Sequence, residues 1–105
     1  MRLSNLERQA IAGANRETFP PGTRVFLFGS RVDDERKGGD IDLLIELPAQ
    51  LPVDELVARR SRFTARLYRL LDEQRIDVLV TDPVTPDERA VVAAARRHGI
   101  ELACA

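Results

Sequence analysis

Four apolar residues in a row, Val25-Phe26-Leu27-Phe28, run into Gly29-Ser30. After a polar stretch from Arg31 to Gly39, a second apolar run, Leu43-Leu44-Ile45, opens on Asp40-Ile41-Asp42. Short aliphatic and aromatic runs bounded by glycine read as strands, so the stretch predicts strand, turn, loop, strand. Successive strand side chains point to opposite faces, which places Asp40 and Asp42 on one face, roughly 7 Å apart along the chain. Two carboxylates on one face suit a divalent cation. The loop between the runs carries three acids and three bases, and Gly38-Gly39 opens backbone conformations closed to other residues just before Asp40.

The flanking sequence supplies helices to cover those strands. Ser4-Asn5-Leu6-Glu7 has the spacing of a capping box, and Leu6, Ala10, Ile11 and Ala14 recur at helical spacing, predicting a helix over 5–18 that Pro20-Pro21-Gly22 stops. The strands follow at 24–28 and 40–47. From Val53 to Glu73 the residues Val53, Leu56, Val57, Arg60, Phe63, Thr64, Leu67, Leu70 and Leu71 form one helical stripe, the longest helix of the chain. Its other side carries Arg59, Arg62, Arg66 and Arg69, a basic edge read first as solvated surface and second as a place to meet a phosphate or an acidic partner. Arg75 to Val80 is a third strand, aliphatic except for Asp77. Thr85-Pro86-Asp87-Glu88 predicts an N-cap and a proline at the first helical position, opening a helix over 86–98 that ends before Gly99. Ile100 to Ala105 is long enough for a short edge strand.

A chain of 105 residues without repeat, linker or low-complexity segment is expected to form one domain over 1–105, large enough to bury a core without disulfides. The net charge of −1 leaves no global field to draw the chain onto nucleic acid or membrane, so direct nucleic-acid binding is not expected. The lone cysteine, Cys104, cannot close an internal disulfide. No apolar run approaches the ~20 residues that span a bilayer, so a cytoplasmic location is the expectation.

If the strands at 40 and 75 are neighbours in matched register, Asp40, Asp42 and Asp77 converge on one pocket. Such hard oxygen donors suit Mg²⁺, and two ions about 3.5–4 Å apart can bridge attacking and leaving oxygens in an in-line displacement. Gly29 would let a triphosphate approach the backbone, with the Ser30 hydroxyl and nearby amides as its donors.

Gly-Ser, nine intervening residues, Asp-Ile-Asp and a later strand acid together resemble the signature of the DNA polymerase beta-like nucleotidyltransferase superfamily, and the small size is most similar to its minimal members, the MNT proteins. The resemblance implies an α/β two-layer fold, a small mixed sheet packed against the helices at 5–18, 53–73 and 86–98. It also implies Gly29, Ser30 and Arg31 as the triphosphate-binding residues, Asp40 and Asp42 as Mg²⁺ ligands, and Asp77 as the third catalytic and metal-binding acid. The activity implied is transfer of AMP from ATP to a hydroxyl, with two Mg²⁺ ions. Minimal members resemble this chain in acting as antitoxins that adenylylate a tyrosine of a helical HEPN toxin, which implies such a partner and a hetero-oligomer. Two other readings stay open: an antitoxin or scaffold that neutralises its partner by binding alone, and a nucleotidyltransferase for a small molecule of aminoglycoside type.

Overall fold

The computed structural model describes residues 3–29, 41–71, 75–85 and 89–104. The first helix, α1 (Asn5–Thr18), starts where expected. The Ser4 hydroxyl accepts from the Glu7 amide at 3.1 Å and the Glu7 carboxylate accepts from the Ser4 amide at 3.0 Å, which satisfies two amides that a helix start leaves bare. Phe19 leaves the helix in an extended conformation ahead of the two prolines. The buried Asn15 then donates to the Thr23 carbonyl at 3.0 Å, tying the end of α1 to the chain that enters the sheet.

Three strands rise from the apolar runs and a fourth from the C-terminal residues: β1 (Arg24–Phe28), β2 (Ile41–Glu46), β3 (Ile76–Thr81) and β4 (Ile100–Cys104). Their order is β3-β2-β1-β4. β1 runs antiparallel to both β2 and β4, whereas β2 and β3 are parallel. A parallel neighbour requires a crossover, and the helix α2 (Val53–Leu71) supplies it. The expected mixed sheet is therefore present, with the C-terminal strand at one edge and the Asp77 strand at the other.

Alternation along the strands sorts the two faces. Val25, Leu27, Ile41, Leu43, Ile45, Ile76 and Val78 turn to one side and are buried against Ile11 and Ala14 of α1 and Phe63, Leu67 and Leu71 of α2. Phe19 and Phe63 meet there as a tilted ring pair, 5.3 Å between centroids. On the opposite side the third helix, α3 (Ala90–His98), lays Val92 and Ala95 on Leu44, with Phe26, Phe28 and Leu79 packed around them. Helices on both sides make this a sheet with one thick cover and one thin one.

Three expectations change. The apolar stripe of α2 is narrower than its sequence implies: Phe63, Leu67 and Leu71 are buried, but Val53, Val57 and Leu70 are exposed, because α2 meets the sheet and α1 along a single seam. Its last described residue is Leu71. The Arg59 side of α2 is not merely solvated. Arg59 pairs with Glu55 and donates to the Thr18 carbonyl at 2.9 Å, and Arg66 pairs with Glu17, so two of the four arginines fasten α2 to α1 or to itself. The Thr85 cap gives way to a different contact. The Asp82 carboxylate accepts from the amides of Val84 and Thr85 and from the Thr85 hydroxyl, a local turn that competes for the groups a helix cap would use. The described helix begins at Ala90 with Arg89 at its N-cap, and residues 86–88 lie outside the described residues. No helix among the described residues is long and apolar enough to cross a membrane.

Candidate active site

Matched register, only a condition in the sequence, is met in the sheet. Asp42 is the direct partner of Asp77 across the parallel β2–β3 pair, and Phe28 is the partner of Asp42 across β1–β2. The three residues form one row over three strands, with neighbouring strands about 4.8 Å apart. Both carboxylates lie on the face that α3 covers, yet at the end it leaves open. Val92 and Ala95 sit on Leu44, two residues further along β2, and Arg96 reaches on to Glu46 at 3.0 Å and Thr81 at 3.2 Å. Asp42 is half-buried and Asp77 exposed. Because β3 is an edge strand and Asp77 is exposed, this acid escapes the burial penalty of an acid inside an aliphatic strand.

Gly29 closes the row on the β1 side. Its φ of +77° is a conformation that side chains rarely adopt, and a Cβ there would lie 2.2 Å from Oδ2 of Asp42. The carboxylate therefore occupies the space that any other residue would fill. The glycine has two reasons to be there, backbone conformation and close approach, and both serve the position of Asp42.

An open cleft of about 340 Å³ runs over the row, lined by Phe28, Asp42, Asp77, Val78, Leu79 and Arg60. Arg60 enters from α2 around the edge of the sheet, donating through Nε and Nη2 to the Val78 carbonyl at 3.3 and 2.9 Å. Sequence reasoning counted it as part of the apolar stripe. Its signal was available there: an arginine among Leu56, Phe63 and Leu67 needs either an exit to solvent or an acceptor. Of the residues expected to form the site, Gly29, Asp42 and Asp77 come together. Ser30, Arg31 and Asp40 lie outside the described residues, so the described acids form a pair and not a cluster of three.

The donor set fits a hard divalent cation. Carboxylate oxygens face an open cleft from adjacent strands, and no described basic side chain forms an ion pair with Asp77. The Glu101 carboxyl is held below its ordinary value by Arg24, and Asp82 is held down mainly by the Thr85 amide.

Residues 8–97 match the family described as nucleotidyltransferase domain. Among solved structures, a chain from the crystal structure of a toxin–antitoxin pair, MntA–HpeT, in a variant with two aspartates exchanged for glutamate, is similar at a TM-score of 0.62 and 20% identity. The similarity covers 90% of this chain and 70% of that chain. No curated protein sequence matches.

Proposed function

Because this chain belongs to the nucleotidyltransferase domain family, we propose that it is a Mg²⁺-dependent adenylyltransferase that moves AMP from ATP onto a hydroxyl of a partner protein, a tyrosine of a HEPN-type toxin, and so acts as an antitoxin. The observation that carries this reading is the register of Asp42 with Asp77 on an open face, beside a glycine whose missing side chain makes room for the Asp42 carboxylate. The toxin–antitoxin origin of a structurally similar chain supports the choice of partner.

In this reading Asp40, Asp42 and Asp77 hold the metal, and Gly29, Ser30 and Arg31 take the triphosphate. When bound, divalent ions supply charge neutralisation and Lewis-acid polarisation at the phosphoryl group. The acceptor oxygen attacks the α-phosphorus of ATP, forming a new O–P bond as the bond to the bridging oxygen breaks and pyrophosphate leaves. The hydroxyl proton passes to Asp77, which is exposed at the edge strand where an acceptor can reach it. Phe28 and Leu79 give the cleft apolar walls beside the two carboxylates. Residues 1–105 act as a single catalytic unit that receives its acceptor from the partner chain.

The test is incorporation of label from α-labelled ATP into a co-expressed toxin. Asp42→Asn is expected to lower the rate more than about a hundredfold, roughly 3 kcal/mol of transition-state stabilisation, without lowering the melting temperature. Equal labelling by the variant would sink the proposal. A variant that neutralises the toxin fully without labelling it would favour inhibition by binding alone.

A further inference from the structure

The edge of the sheet beside Asp77 is finished in an uneven way. The carbonyls of Arg75 and Thr81 accept from the amides of Ile41 and Leu47 at 2.8 and 2.9 Å, so alternation turns the peptide groups of Ile76 and Val78 outward, away from β2. Side chains of α2 meet them there. The Tyr68 hydroxyl lies 3.4 and 3.5 Å from the amide and carbonyl of Ile76, and Arg60 bonds the Val78 carbonyl. A neutral donor would have sufficed for that carbonyl. Arg60 instead spends two N–H groups on an uncharged acceptor and makes no ion pair among the described residues, while lining the same cleft as Asp42 and Asp77. Its positive charge is uncompensated by these bonds, and among the described residues the Nη1–H groups have no partner.

The position of that charge gives it a direction. Gly29 abuts Asp42 on the β1 side of the row, and Arg60 stands beyond Asp77 on the β3 side. With the triphosphate entering over Gly29, the acceptor arrives from the Arg60 edge. A carboxylate next to the acceptor hydroxyl would be repelled by Asp77 unless a fixed cation offset it, and a guanidinium pinned through Nε and Nη2 presents the planar fork that pairs with carboxylates.

We propose that Arg60 is the acceptor-side specificity residue of this site, and that it selects a tyrosine flanked by carboxylates. The proposal rests on the adenylyltransferase reading above.

Two synthetic peptides, one with glutamates and one with glutamines flanking a single tyrosine, test it with Mg²⁺ and α-labelled ATP, using wild type and Arg60→Gln. Glutamine can still donate to the Val78 carbonyl, so the sheet edge keeps its cap, and the melting temperature reports whether it does. Affinity for a non-hydrolysable ATP analogue is measured in parallel. The expected result is a preference of about tenfold for the glutamate peptide, the size of one charge-assisted hydrogen bond, lost in Arg60→Gln through a higher KM for peptide with unchanged analogue affinity. A preference that survives the substitution overturns the proposal. So does a matching loss of analogue affinity, which would move Arg60 to the triphosphate side. Analogue binding without labelling of either peptide overturns the acceptor assignment and leaves nucleotide binding standing. A wild type that binds no analogue removes the adenylyltransferase reading and this proposal together.

Discussion

On the side turned to α1 and α2, the sheet buries Val25, Leu27, Leu43 and Ile45 completely, and no acid interrupts the apolar surface. On the side turned to α3, the buried cluster is Leu44, Val92 and Ala95, and the same strands carry Asp42, Glu46 and Asp77. The strands are shared, so the difference begins with alternation: each strand contributes one row to stability and the next to the candidate site. α3 is 9 residues long against 19 for α2, and it packs on Leu44, two residues past Asp42. The thick cover anchors the strands, and on the thin side an open cleft lies over Asp42 and Asp77.

The contrast can be broken most severely from the thick side. Phe63→Ala removes a buried ring at the junction of α1, α2 and the sheet, and is expected to cost about 3–5 kcal/mol in urea unfolding. If it costs less than Val92→Ala, the core has been assigned to the wrong face. Val92→Ala, under the thin cover, deletes two methyl groups and should cost roughly 2 kcal/mol, measured the same way.

Gly29→Ala separates stability from site geometry. Forcing an L-residue into a left-handed conformation costs about 1–2 kcal/mol, so the protein should stay folded by circular dichroism. Nucleotidyl transfer should nevertheless fall about as far as in Asp42→Asn, since the new Cβ collides with the Asp42 carboxylate. Near-normal transfer would mean that the position of that carboxylate is not critical. The smallest expected effect is a pH dependence at the far end of the open face. The Thr85 amide above all holds the Asp82 pKa below its ordinary value; burial, the next-largest effect, opposes it, and the Val84 amide and the Thr85 hydroxyl add to the lowering. The carboxylate therefore adds stability above its unfolded pKa and loses it as pH falls through the lower folded value. The gap in melting temperature between wild type and Asp82→Ala should accordingly shrink below about pH 4. A gap that widens there would reverse the sign of the interaction.

Much of this was legible in the chain. The capping box of α1 and the alternation that separates Ile41 and Leu43 from Asp42 depend on residues a few positions apart, and they stand as read. The mixed sheet implied by the family resemblance is also found. The width of the α2 seam was not legible, because periodicity marks which residues are apolar and not how much of a helix its neighbours cover. Val57 and Leu70 belong to the pattern yet face solvent. Thr85 fitted a cap by local spacing, but Asp82, only three residues away, accepts from its amide and its hydroxyl, and the described helix begins at Ala90.

The sequence by itself determined which residues could bear the chemistry: a glycine after a strand, acids at strand starts, and apolar runs to hold them. Tertiary structure decided that Asp42 and Asp77 stand side by side, that Gly29 makes room for one of them, and that Arg60 closes the row. Those relations join residues far apart in the chain, and strand order and register are set by burying one face of every strand at once, a condition that no local spacing expresses.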